Sequence, residues 1–162
     1  MAGTPVDIVR SARRAKTVQA VLRDGRIKVM VPDHFSEAEA RQWALKMAGR
    51  IERKRASEAV DLELRATQLA ARYRLEKPHS IEWSDRQNDR WGSATPANGS
   101  IRISNRLAGS PSWVLDYVIV HELAHLSEAG HGPRFHELVD RFPLAERARG
   151  YLIAKAEGPV RS

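Results

Sequence analysis

The sequence has no cysteine among its 162 residues. Without thiols the chain can form neither a disulfide nor a thiolate metal site, and it can supply no cysteine nucleophile. Any bound metal ion would therefore have histidine, carboxylate or water ligands.

Long apolar runs are also missing. No stretch approaches the roughly 20 apolar residues that cross a bilayer. The opening residues lack the basic-then-apolar layout of a secretory signal. Because the absence of cysteine also fits a reducing compartment, we expect a cytoplasmic protein with no membrane partner.

Acidic residues are fewer than basic ones, which leaves a net charge of +7 and a pI near 10.2. Such a balance favours acidic partners, such as nucleic acid or a nucleotide, through long-range attraction, and it also favours solubility. Four cations cluster at Arg10, Arg13, Arg14 and Lys16. With no aromatics between them, they are typical of a solvated loop. The sequence does not indicate an oligomeric state.

Periodicity divides the chain into short strands and amphipathic helices. Strands are predicted near residues 6–10, 17–22, 27–31, 80–83 and 101–104. Helices are predicted near 36–55, from 57 or 58 to a point before Pro78, and near 111–129, 133–141 and 143–155. Asp24 and Gly25 predict a tight hairpin turn, because both residue types tolerate positive φ. Ser36 followed by Glu39 predicts a helix-capping box. The residues 52–55 are expected to join the first two helices.

These elements predict an α+β fold. We expect one domain over residues 1–162, with an N-terminal strand, hairpin and helical region of about residues 1–78. A small antiparallel sheet and a helix carrying the main motif are expected in a zinc-binding core of about residues 79–157.

The main motif is His-Glu-Leu-Ala-His at residues 121–125. His121 and His125 lie one helical turn apart, so their imidazoles emerge on one face and can hold the same metal ion. A zinc ion with three protein ligands keeps a position for water, whose proton a nearby carboxylate can accept. Glu122 is the predicted catalytic base.

A third ligand requires the chain to turn back after this helix. His131 follows His121 by ten positions between Gly130 and Gly132, and it is the favoured third ligand. The spacing matches that of metzincins, but Glu128 stands where metzincins have glycine, so the metzincin fold is not expected. The alternative ligands are His136, Glu128, Glu137, Asp140 and Glu146.

Three segments carry a family resemblance: Arg-Trp-Gly-Ser at residues 90–93, the run at 116–126, and His-Gly-Pro-Arg-Phe at 131–135. Together they resemble the YgjP-like metallopeptidase family, which is related to SprT-like proteases. The resemblance implies a zincin-like core and one zinc ion held by His121, His125 and His131. It also implies that Glu122 is the base and that the substrate is a peptide or protein.

The resemblance further implies that residues 90–104 cross the active-site cleft as strands, one edge of which would pair with an extended peptide. Asn88, Arg90 and Ser93 are candidate substrate contacts. For Arg90, an ion pair that holds the turn is the alternative role, and it is the favoured one.

The leading function is therefore a zinc-dependent metallopeptidase. One alternative is hydrolysis of a nucleotide phosphoanhydride by the same metal, with the basic surface holding the nucleotide. A second alternative is a nucleic-acid-associated protein or protease, which would require salt-dependent binding.

Overall fold

The computed structural model describes residues 3–157 of the chain. These residues separate into two compact units, divided between Ala56 and Ser57. The first unit consists of strands β1 (Val6–Ser11), β2 (Gln19–Arg23) and β3 (Arg26–Pro32) and most of helix α1 (Glu37–Glu58). That the chain works as one domain stays a prediction.

β3 is the central strand of the first sheet, parallel to β1 and antiparallel to β2. Asp24 and Gly25 connect β2 to β3 with φ angles of 52° and 72°. These positive values suit the tight turns that join two antiparallel strands.

Alternation along β3 separates the two faces of this sheet. One face is buried against the alanine side of α1, and the core contains Ile27, Val29, Val31, Ala40, Ala44 and Ala48. Alanine at these helix positions lets the backbone of α1 approach the sheet closely, because its side chain is a single methyl group.

The start of α1 has the predicted capping box. The Ser36 N–H donates to Glu39 Oε2 at 2.9 Å, and the Glu39 N–H donates to Ser36 Oγ at 3.1 Å. Residues 52–55 do not join two helices, because α1 continues to Glu58. The next helix begins only after Asp61, whose side chain caps it by accepting from the Leu64 N–H.

The second unit contains the remaining elements. They are α2 (Leu62–Tyr73), β4 (Ser80–Ser84), β5 (Gly92–Thr95), β6 (Ser100–Ser104), a 3-10 turn (Asn105–Leu107), α3 (Ser112–Ser127), α4 (Pro133–Val139) and α5 (Ala145–Glu157). The unit has an α+β organisation.

The second sheet has the order β4-β6-β5 and is mixed. β5 pairs with β6 antiparallel, whereas β4 pairs with β6 parallel, so the prediction of an antiparallel sheet is wrong for β4. The sequence pattern missed β5, whose residues Gly-Ser-Ala-Thr resemble a turn. Because the chain runs back along β5 before it enters β6, β4 and β6 point in the same direction.

Helix α3 is the centre of this unit and is buried along most of its length. It packs against α2, α4, α5 and the strands β5 and β6. Burial on several sides explains why its apolar residues do not form a single stripe. The helix therefore holds its polar residues, including those of the main motif, in a fixed orientation within a packed core.

Within the described part of the chain, no helix combines the length and the apolar character that crossing a membrane requires.

Candidate metal centre and active-site cavity

Three histidines converge beside α3. His121 and His125 extend from successive turns of this helix, and His131 approaches from the loop that leads into α4. One ring nitrogen from each lies within 4.8 Å of the other two. Among residues 3–157 this is the one group of three or more potential metal ligands so close together.

The His125 ring is oriented by a backbone contact. Its Nδ1 lies 2.9 Å from the Glu128 carbonyl oxygen. A carbonyl oxygen only accepts hydrogen bonds, so Nδ1 must carry the proton and Nε2 has a free lone pair. Metal-bound histidines commonly have an outer partner of this kind.

Phe135 packs among the three imidazoles and is 2% exposed. It stacks on His125 at a centroid distance of 4.4 Å, and it meets His121 and His131 edge-on at 4.9 Å each. Sequence reasoning missed this role, although Phe135 belongs to the quoted motif. The phenyl ring restricts the rotation of the imidazoles on one side of the cluster.

Burial also affects the charge of the cluster. Burial, together with the charges of the neighbouring His125 and His131, lowers the pKa of His121 to about 4. The imidazole of His121 is therefore neutral at neutral pH, and a neutral imidazole is the form that binds a metal ion.

Glu122 follows His121 on the buried helix and is 6% exposed. Burial raises the pKa of its carboxyl to about 7, and the positive charge of Arg90 partly opposes this shift. Among the described residues its carboxylate has no hydrogen-bond partner. A carboxyl with a pKa near neutrality is well suited to accept and return a proton.

Gly92 at the start of β5 lies directly against this carboxylate. A Cβ atom at this position would be 3.0 Å from Glu122 Cγ, 3.1 Å from Glu122 Oε1 and 3.2 Å from the Arg102 carbonyl oxygen. The backbone oxygen blocks one side, so the glutamate would have to move. The absence of a side chain at Gly92 thus leaves room for the carboxylate of Glu122 in its present position.

We expect Gly92→Ala to lower peptidase activity, because Glu122, the predicted base, must shift by a few tenths of an ångström; the loss should stay below the roughly 100-fold that a displacement of about 1 Å costs. Metal content should be unchanged, since no histidine is touched. Gly109→Ala is the matched control, because an added methyl group there meets nothing within 4 Å. Full activity in purified, folded Gly92→Ala would contradict this account of Glu122.

The histidines open into a cavity of about 830 Å³. Its walls come mainly from β5, α3 and α5, and its apolar lining comprises Trp91, Ala94, Pro96, Val118, Ala129, Leu152, Ile153 and Ala156. Among residues 3–157, Glu122 is the one carboxylate in the lining, which also includes Arg90 and Arg149. The cavity is thus apolar and positively charged around the histidine cluster.

The three candidate substrate contacts lie in different surroundings. Arg90 and Ser93 line the cavity, whereas Asn88 is exposed and is not part of its wall. The Ser93 hydroxyl accepts a hydrogen bond of 2.6 Å from Gln87 Nε2. Within residues 3–157 the Arg90 guanidinium makes no ion pair, and the Arg90 carbonyl accepts from Arg106 at 2.8 Å.

The alternative third ligands are outside the cluster. Glu137 pairs with Arg134, and both Asp140 and Glu146 pair with Arg149. His136 is exposed, and Glu128 contacts His125 through its backbone carbonyl oxygen.

Tyr117 and Arg149 are cavity residues that the sequence did not indicate as part of the site. Tyr117 precedes His121 by one turn, and their rings are 5.9 Å apart. Arg149 Nε donates to the Tyr117 hydroxyl at 3.2 Å, while its other nitrogens contact Glu146 and Asp140. The i, i+4 spacing of Tyr117 and His121 could have indicated that Tyr117 lies beside the histidines. The contact of Arg149 with Tyr117 could not be predicted in this way, because it joins α5 to α3 in the tertiary structure.

Comparison with known proteins places this geometry in context. The family model described as "YgjP-like, metallopeptidase domain" matches residues 53–152, more than half of the chain. A search of curated proteins finds no match.

Two solved structures share the fold. The metallopeptidase zymogen abylysin of Pyrococcus abyssi is 18% identical with a TM-score of 0.54, covering 60% of this chain and 96% of its own. The metallopeptidase zymogen jannalysin of Methanocaldococcus jannaschii is 17% identical with a TM-score of 0.51, covering 59% and 97%.

Proposed function

The chain belongs to the YgjP-like metallopeptidase family and is a metal-dependent protease, and we propose that its metal is one zinc ion held by His121, His125 and His131. The observation that carries the proposal is the convergence of three imidazole nitrogens within 4.8 Å of one another. Zinc commonly takes three protein ligands of this kind in hydrolases.

The donor set fits zinc in two further respects. The lone pair of His125 Nε2 is free because Nδ1 donates to the Glu128 carbonyl oxygen. The chain has no cysteine, so no thiolate competes with nitrogen ligands for the ion. When bound, a zinc ion supplies a Lewis acid that polarises a carbonyl and makes a water molecule more acidic.

Glu122 is the proposed general base. Its carboxylate is buried beside the histidines, and a pKa of about 7 suits a group that takes a proton from water and then gives it to the leaving amine. Gly92 leaves this carboxylate the space that a larger residue would occupy.

β5 is the proposed binding edge for the substrate backbone. It is the outer strand of its sheet, and Gly92, Ser93 and Ala94 line the cavity. Among the described residues its outer edge has no strand partner. An extended peptide can add to such an edge through main-chain hydrogen bonds, which would align its scissile bond along the histidines.

The opposite wall is the proposed side-chain pocket. Ala156 follows Ile153 by three positions and Leu152 by four, so the three side chains share one face of α5. Ile153 is 60% exposed, so burial of an apolar substrate side chain against it would remove apolar surface from water. Arg90 is the proposed contact for a substrate carbonyl or carboxylate, since it lines the cavity and its guanidinium makes no salt bridge within residues 3–157.

The test is hydrolysis of a denatured protein and of peptides rich in apolar residues by the purified chain, before and after zinc reconstitution. We expect new amino termini to form only when the metal is present. Their formation should stop when a chelator removes the metal. Nucleoside triphosphates should not be hydrolysed under the same conditions.

Two outcomes would reject the proposal. One is a correctly folded, zinc-loaded protein that cleaves no peptide over a broad substrate set. The other is turnover of nucleoside triphosphates in the absence of peptide cleavage.

A further inference from the structure

The net positive charge of the chain is confined to one of its two units. Residues 1–56 contain 13 lysines and arginines against 6 aspartates and glutamates, a formal charge of +7. Residues 57–162 contain 14 of each and are formally neutral. If the charge served solubility alone, there would be no reason for it to collect in the smaller unit.

Four of the 13 cations lie on the face of the first sheet that turns away from α1, while six others belong to α1 itself. Ile27, Val29 and Val31 of β3 face the core, so Arg26 and Lys28 alternate to the other side. Arg23 pairs across the strands with Arg26 and shares their face. Arg14 reaches the same face from the loop after β1.

The position of Arg14 follows from its contacts. Its guanidinium donates to Gln19 Oε1 at 2.8 Å and to Thr17 Oγ1 at 3.1 Å, and it lies 4.0 Å from Met30 Sδ. Gln19 and Met30 are cross-strand partners on the face opposite the core. These contacts order a loop that the sequence pattern alone describes as solvated.

Few carboxylates compensate these cations. The basic face and its adjoining loop comprise Arg13, Arg14, Lys16, Arg23, Arg26 and Lys28, and the carboxylates beside them are Asp7 and Asp24. Asp7 is engaged by Arg26 through two contacts of 2.7 Å. Within residues 3–157 neither Arg23 nor Lys28 makes a salt bridge, although the charge of Lys28 acts on the neighbouring Asp7. Both side chains can therefore contact a partner.

We propose that this basic face binds nucleic acid through the phosphate backbone. Three cations on adjacent strands and Arg14 from the neighbouring loop present positive charge over an extended surface, which matches a polyanion with regularly repeating charges. The strand residues on this face include no aromatic, so they offer no stacking platform for unpaired bases. A duplex bound without sequence preference is therefore the favoured ligand.

The test measures binding of a short, labelled DNA duplex to the full chain by fluorescence anisotropy over a range of salt concentrations. The variant Arg23→Gln/Lys28→Gln is compared with Lys77→Gln/Arg86→Gln, which removes the same charge from exposed positions of the neutral unit. We expect the first variant to bind about tenfold more weakly than the wild type. The slope of the logarithm of the binding constant against the logarithm of the salt concentration should decrease in magnitude by about 2. The second variant should bind like the wild type.

Three results would overturn the inference. The first is no binding by the wild type at about 50 mM salt, where phosphate contacts are strong. The second is equal weakening in both variants, since binding would then follow net charge and not this face. The third is binding to vesicles that contain phosphatidylserine but not to the duplex. Circular dichroism of each variant checks that the fold is intact.

Discussion

Replacing Glu122 with glutamine is expected to lower kcat/KM for peptide hydrolysis by roughly 10²–10⁴-fold, the range that general acid–base catalysis contributes. The amide has nearly the same size as the carboxyl, so it can occupy the same space beside Gly92, where an added Cβ atom would already be too close. It cannot accept a proton in the same way, so the loss reports on the chemistry and not on the fold.

The measurement pairs peptide kinetics with metal content. Glu122→Gln should keep a full equivalent of zinc, because its three histidines are unchanged. Glu137→Gln is the control, since Glu137 is exposed and pairs with Arg134 at 2.9 Å outside the cluster. A Glu122→Gln protein with near wild-type kcat/KM would remove Glu122 from the mechanism.

The second large effect is expected from His131→Ala. Loss of one of three ligands should weaken zinc binding by more than the roughly 10–100-fold that loss of an outer-shell partner costs. His131 is exposed and is not part of the hydrophobic core, so its removal should leave the fold intact. Activity should fall with metal occupancy.

Plasma mass spectrometry after dialysis against metal-free buffer gives the metal content, and competition with a chromophoric chelator gives the affinity. His136→Ala is the matched control, because His136 is exposed and outside the cluster. Near-stoichiometric, tightly held zinc in His131→Ala would show that another residue is the third ligand. Failure of the folded wild type to bind zinc would reject the whole site.

Some features were determined by the sequence alone because they depend on local geometry. A separation of four residues places His121 and His125 on one face of any α-helix. Ser36 and Glu39 cap α1 as predicted, since a capping box involves only neighbouring residues. The absence of cysteine excluded thiolate ligands and needed no structure to do so.

Other features depended on which elements meet in space. β4 runs parallel to β6 because of the path the chain takes through β5, a strand that its small and polar residues did not reveal. The closeness of Gly92 to Glu122 arises from packing of β5 on α3, across thirty positions of sequence. The periodicity of apolar residues in the sequence does not predict a contact of this kind.

The cluster itself combines both kinds of information. Local spacing set the orientation of two imidazoles, but the approach of His131 to within 4.8 Å depends on the turn after α3 and on Phe135 packing among the rings. The concentration of positive charge was readable in the sequence, whereas the sheet register assigned Arg23, Arg26 and Lys28 to one exposed face. Helical spacing and composition are local properties and can be read directly, while register and packing are decided by burial of the whole core.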